Sequence, residues 1–211
     1  MWDQRYADRE YVWSVTANRF VEQHLGRLRP GTAIDLGAGE CRNAVWLAER
    51  GWSVTAVDFS AVGLEKGRRL AEEHGVADRV DLVRADVTTW EPTGPVDLVL
   101  LAYLQLPGDE RRSVLRSSAG WVRPGGHAFV IAHDRANVTD GYGGPPSAEV
   151  CYDVEETAAG LAPLAIQVAA IEERRVDTPD GERVALDTLV MATAPDDEHT
   201  AGEETSGGLV S

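Results

Sequence analysis

Apolar residues along this chain gather in short runs that alternate with longer stretches of helical spacing. The runs at Thr32–Leu36, Trp52–Asp58, Arg79–Val87, Val96–Tyr103 and Val122–Ala132 read as buried strands. A helix over about Ser14–Leu28 offers Val15, Phe20, Val21 and Leu25 on one side and stops at Arg29-Pro30-Gly31. Further helices run from about Cys41 to Arg50, from Ser60 to near Gly75, and from Gly108-Asp109 to Gly120. Asp153 and Glu156 have the spacing of a capping box and open a helix that ends near Gly160. Ala165–Val176 and Arg183–Thr193 form a final hairpin about the turn Pro179-Asp180-Gly181. The order α-β-α-β-α-β-β-α-β-α-β-β implies an α/β fold: a mostly parallel seven-stranded sheet, helices on both faces, and a C-terminal antiparallel hairpin.

The junction of the first strand with its helix carries the most chemistry. In Asp35-Leu36-Gly37-Ala38-Gly39-Glu40-Cys41-Arg42-Asn43, two glycines let the backbone bend sharply and approach a ligand. The helix behind them points its free N–H groups into the turn. A dinucleotide site of the form G-x-G-x-x-G requires a third glycine, and Arg42 stands in its place. The alternative is S-adenosylmethionine, which has no phosphate and needs a glycine turn and an acid for its ribose. Asp58 ends the second strand about twenty residues past the turn, where a ribose-binding acid belongs in a βαβ unit. Its ionised carboxylate suits a diol. Asp86 ends the third. Each acid also has a plain structural reading, Asp58 at a helix N-terminus and Asp86 as a turn residue before Thr88 and Thr89. Asp97 reads as structural. The spacing favours a ligand, because open parallel sheets bind beyond the carboxyl ends of their strands.

Asp35-Leu36-Gly37-Ala38-Gly39 resembles the first motif of class I S-adenosylmethionine-dependent methyltransferases, which usually place glycine where Cys41 stands. Pro124-Gly125-Gly126 resembles their turn before the fifth strand. Trp2-Asp3-Gln4-Arg5-Tyr6, Glu10-Tyr11-Val12-Trp13 and Asn18-Arg19-Phe20 resemble the N-terminus of small bacterial methyltransferases related to the tellurite-resistance and thiopurine enzymes, and Glu40-Cys41-Arg42-Asn43 is similar to their Gly-Arg-Asn helix start. The resemblance covers about residues 2–135. It implies a Rossmann-like class I methyltransferase fold with S-adenosylmethionine as cofactor and S-adenosylhomocysteine as product. It also implies a cofactor site at Asp35, Gly37, Ala38, Gly39, Arg42, Asp58, Phe59, Asp86, Val87, Ala102 and Trp13, with Asp86 on the adenine amino group and the Val87 N–H on the ring. The activity implied is methyl transfer to a small sulfur, selenium or tellurium, oxygen or nitrogen nucleophile.

Such a cofactor brings an activated methyl group, so the protein must chiefly align donor and acceptor. A thiolate needs no base, whereas a hydroxyl or ammonium acceptor must lose a proton. His133, after the fifth strand, is the candidate base, and Tyr103 lies at the same end. Alternatively, His133-Asp134 only caps the strand. Tyr6, Tyr11, Gln105 and Tyr142 are the candidate acceptor-binding residues. Trp2, Arg5, Tyr6, Tyr11 and Trp13 either close over the site and favour a sulfonium or staple the first helix to the sheet. Arg5 or Arg42 is placed to pair with the cofactor's carboxylate. The glycine-rich segment 137–146 is either a lid or a plain connection.

The chain has 211 residues and a formal net charge of −15. With no basic stripe, that charge argues against a nucleic-acid partner. No apolar run is long enough for a membrane span, and the N-terminus lacks the build of a signal peptide. Two cysteines suit a reduced cytoplasm rather than a disulfide framework. His127, His133, Asp134, Cys151 and Asp153 lack metal-ligand spacing, so no metal is expected. There is no G-x-S-x-G of a serine hydrolase. Residues 1–194 read as one methyltransferase domain, with 1–30 an N-terminal cap, and 195–211 as an acidic disordered tail. A non-catalytic S-adenosylmethionine-binding module and an NAD-dependent oxidoreductase are the alternative functions.

Overall fold

The computed structural model describes Tyr6 and residues 15–196. In chain order the elements are α1 (Arg19–Leu25), β1 (Thr32–Leu36), α2 (Arg42–Glu49), β2 (Ser53–Asp58), α3 (Ala61–Glu73), β3 (Val80–Arg84), β4 (Val96–Ala102), α4 (Gly108–Trp121), β5 (Val122–His133), the short α5 (Asn137–Asp140), α6 (Val154–Gly160), β6 (Ala165–Thr178) and β7 (Gly181–Thr193). One seven-stranded sheet runs β3-β2-β1-β4-β5-β7-β6. Strands β1 to β5 pair in parallel and β7 pairs antiparallel with β5 and β6. The fold is the Rossmann-like, mostly parallel architecture with a C-terminal hairpin that the sequence implies. Strand order reverses between β1 and β4, which opens a crevice at their carboxyl ends.

The sheet has an apolar layer on each face because its strands alternate. Leu98 and Leu100 of β4 join Phe20, Leu25, Trp46, Leu64 and Leu70 on one side. Val99 and Leu101 join Val114, Leu115, Tyr152 and Leu161 on the other. Helix α1 is shorter than the spacing suggests, since Asn18 caps it by accepting from the Phe20 N–H at 2.9 Å. The Pro124-Gly125-Gly126 segment is not a separate turn. It lies inside β5, whose pairing with β4 shifts register there, and the Gly125 N–H donates to the Ala194 carbonyl. Asp97 is structural, as expected: it accepts from the Thr32 N–H at 2.7 Å and the Thr32 hydroxyl at 2.9 Å.

Cys41 sits at the start of α2 with φ 59°, a left-handed conformation in which glycine is favoured. Its side chain is fully buried, and α3 makes room for it with Gly67, where a Cβ would lie 2.7 Å from the Cys41 Cβ. Gly67→Ala alone is expected to destabilise by roughly 1–3 kcal/mol through overpacking. Adding Cys41→Gly removes the clash and the left-handed strain, worth about 1–2 kcal/mol. The helix-favouring alanine contributes about 1 kcal/mol more. Urea denaturation is therefore expected to find the double variant at least as stable as the parent. Additive losses from the two substitutions would refute the coupling.

Candidate functional site

The glycine turn is held from below and from one side. The N–H groups of Gly37 and Ala38 donate to the Val57 carbonyl at 2.8 and 3.1 Å, tying the turn to β2. Asp58 accepts from the Gly39 N–H through Oδ2 at 2.9 Å and from the Ser60 N–H through Oδ1 at 2.8 Å. Gly37 and Gly39 both have positive φ, 71° and 55°. Their missing side chains also matter: a Cβ on Gly37 would lie 2.8 Å from Leu104, and one on Gly39 would lie 2.6 Å from the Tyr6 hydroxyl. Tyr6 is buried, and its backbone oxygen accepts from Lys66 Nζ at 2.6 Å.

Beyond the strand ends lies a cavity of about 890 Å³, room for a nucleoside-sized group and a second small molecule. Gly37, Ala38, Gly39, Arg42, Asp58, Phe59, Asp86, Val87 and Ala102 line it, and so do Tyr6, Tyr103, Gln105, His133 and Tyr142. Asp35 is not on the wall; it is buried beneath the turn. Trp13 and Tyr11 fall outside the described residues, as do Trp2 and Arg5. The segment 137–146 begins with α5 and returns over the cavity through Tyr142–Pro146. The capping-box aspartate Asp153 accepts from the Glu156 N–H and starts α6 away from the cavity wall. Among the described residues no three His, Cys, Asp or Glu side chains are placed to share a metal ion, and no helix is long and apolar enough to cross a membrane.

The titratable groups form two neighbouring clusters that meet where Arg42 feels the charge of Tyr103 and Arg174. Burial, reinforced by the charge of Asp58, raises the Asp35 carboxyl to about 7, against the opposing pull of Arg42. Burial lowers the Arg42 guanidinium while nearby Tyr103 and Asp35 raise it. Asp86 is held below the usual carboxylate range by hydrogen bonds from the Thr88 hydroxyl and N–H, so it is ionised at neutral pH.

The second cluster is organised by Asp187 of β7, a residue that no motif in the sequence singles out. Its Oδ2 accepts from the Tyr103 hydroxyl at 2.7 Å and from Arg174 Nε at 2.7 Å. Its Oδ1 lies 3.1 Å from His133 Nδ1. Burial pushes Asp187 up, but the His133 ring beside it and its bonds to Arg174 and Tyr103 outweigh this and leave it below the usual carboxylate range. Burial, then the charge of Asp187, pushes the Tyr103 hydroxyl up, so Tyr103 remains a protonated donor. Tyr103 itself has φ 56°, a costly conformation for a tyrosine. One sequence signal for Asp187 exists: an acid set in the apolar strand Leu186-Asp187-Thr188-Leu189-Val190 needs partners.

A family model described as "Methyltransferase domain" matches residues 33–126. The chain is 38% identical over 119 residues to the tRNA 5-carboxymethoxyuridine methyltransferase of Escherichia coli K12; this covers 54% of the chain and 44% of that protein. It thus spans less than half the length of that relative. Among solved structures, TehB of Haemophilus influenzae superposes with TM-score 0.73 at 15% identity, covering 91% of this chain and 67% of that one. The N-methyltransferase NodS of Bradyrhizobium japonicum, in complex with S-adenosylhomocysteine, gives TM-score 0.70 at 13% identity, covering 92% and 97%. The tRNA-methylating relative overturns the expectation of no nucleic-acid partner. Net charge was a poor guide because it sums the whole surface. Locally, Arg19, Arg42, Arg174 and Arg175 all line the cavity.

Proposed function

We propose that the chain is a class I S-adenosylmethionine-dependent methyltransferase, which the match of residues 33–126 to a methyltransferase-domain model supports, and that it methylates a small nucleophile beside Tyr103 and His133. One observation carries this reading: the glycine turn, Asp58 and Asp86 all border a single cavity at the carboxyl ends of parallel strands. The cavity fits the cofactor in its details. A Cβ on Gly37 or Gly39 would meet the Leu104 or Tyr6 side chain, and the exposed Phe59 lines the cavity together with Asp58.

S-adenosylmethionine, when bound, supplies a methyl group already activated on a sulfonium. The residues then have separable tasks. Asp58 accepts the ribose hydroxyls. Asp86 and the Val87 N–H take the adenine edge, with Phe59 against its face. Arg42 pairs with the carboxylate of the methionine part, while Gly37, Ala38, Gly39 and Ala102 form the close backbone floor. Tyr6, Gln105 and Tyr142 enclose the acceptor and exclude water, and His133 takes its proton where it has one. Trp13 and Tyr11 lie outside the described residues, and Asp35 supports the turn from below. Residues 1–194 are taken in this reading as one domain; residues 197–211 of the acidic segment lie outside the described residues. A cytoplasmic setting accords with Cys41 and Cys151, both free thiols.

A second reading replaces the small acceptor by a nucleoside within RNA. The similarity to the tRNA 5-carboxymethoxyuridine methyltransferase favours it, as do the arginines on the cavity wall. Methyl-labelled S-adenosylmethionine offered with thiols, selenite or tellurite, phenols, amines and bulk tRNA separates the two. The proposal expects label in a small acceptor. Label in tRNA alone would establish the second reading, and failure of S-adenosylmethionine to bind in a calorimetric titration would end both.

A further inference from the structure

We propose that Asp187 is a positioning residue that holds His133 with its proton on Nδ1, so that Nε2 faces the acceptor as a base, and that the acceptor is accordingly a hydroxyl or amine. This inference rests on the reading of the cavity as a methyltransferase site.

The geometry is specific. Asp187 is completely buried, and its Oδ1 faces only His133 Nδ1, at 3.1 Å. That pair is angled away from good hydrogen-bond alignment, and neither atom has another protein partner among the described residues. Such a contact tightens when a site closes around its ligand. An ionised carboxylate only accepts hydrogen bonds, so the nitrogen beside it must carry the proton. The other nitrogen is then a lone pair.

The neighbours hold the ring in place. The Tyr103 ring lies 4.8 Å from the imidazole, and its hydroxyl is bonded to the same carboxylate. Gly144, at φ 78°, lies so close that an added Cβ would be 3.0 Å from the His133 ring. Arg174 binds the far oxygen of Asp187 and supports its negative charge. A thiolate acceptor would need none of this apparatus.

The acceptor's lone pair forms a bond to the methyl carbon as the carbon–sulfur bond breaks, and the electron pair of that bond stays on sulfur as a neutral thioether. The acceptor's O–H or N–H proton moves to His133 Nε2. The imidazolium so formed lies against Asp187.

Nitrogen-15 NMR of the imidazole, on the full-length protein with and without S-adenosylhomocysteine, tests the claim without any acceptor. At a pH where the ring is neutral, the proton should sit on Nδ1, and Asp187→Asn should move a substantial share of it to Nε2. A proton on Nε2 in the parent protein overturns the proposal, whether or not Asp187→Asn folds. Turnover supplies a second readout. Asp187→Asn should lower kcat for a phenol or amine by about 100-fold or more, the scale of general-base catalysis. The affinity for S-adenosylhomocysteine should stay within about twofold, since Asp187 is buried behind Tyr103 and His133 and is not on the cavity wall. Unchanged kcat, or turnover of thiols alone, also overturns it. Loss of S-adenosylhomocysteine binding by the parent protein would instead contradict the proposed function, while the position of the His133 proton would still decide the present claim.

Discussion

Asp58→Ala is expected to bind S-adenosylhomocysteine about 100-fold or more weakly than the parent, measured by calorimetry. A carboxylate bonding a ribose diol makes two charge-assisted hydrogen bonds, each worth about 1.5–3 kcal/mol. Removing it costs both and also strips the Gly39 and Ser60 N–H groups of their acceptor, loosening the turn beneath the ligand. The two effects separate in a cycle with a 2′-deoxy analogue. The analogue should lose affinity for the parent protein and lose little more for the variant. Equal affinity of parent and variant for the natural product would show that the acid at the end of β2 serves only the backbone.

Asp35→Asn is expected to stabilise the protein at pH 8 and to leave it unchanged at pH 4. The Asp35 carboxyl titrates at about 7 in the folded state against 3.8 when free. The folded state therefore holds a proton that the unfolded chain releases between those values. Stability from this group is present in full below pH 4 and is lost as pH rises toward 7. At about 1.36 kcal/mol per unit, the loss is on the order of 2–4 kcal/mol by pH 8. Asparagine keeps the volume and the acceptor for the Ala44 N–H but never ionises. Protonated Asp35 has one oxygen without a protein partner, so the amide adds no new buried mismatch. Thermal melts across pH 4–8 should show parent and variant coinciding at the acid end and diverging upward. A variant less stable than the parent at pH 8 would mean that the Asp35 charge is needed by Arg42.

The fold was legible because its strands are short apolar runs and its helices have strong stops, as at Pro30-Gly31 and Gly75. Part of the cavity wall was legible too, since a motif in consecutive residues places Gly37, Gly39 and Arg42, and strand ends place Asp58 and Asp86. What escaped was long-range. Asp187 and Arg174 come from the terminal hairpin, and the antiparallel register of β7 against β5 sets that acid opposite His133, which lines the cavity. No local spacing encodes that pairing. The left-handed φ of Cys41 shows the same limit: the sequence has a cysteine where glycine is usual, but Gly67, its compensation, is distant in the chain. The nucleic-acid expectation failed for a related reason, because net charge averages away the four arginines that line one cavity.

A crystal structure of the protein with S-adenosylhomocysteine tests the central claim most directly. The ribose should lie on Asp58, the adenine beside Phe59 and Val87 with its amino group at Asp86, and the sulfur should point toward Tyr103 and His133. A product molecule bound elsewhere, or a cavity in which Asp58 makes no contact with the sugar, would contradict the account.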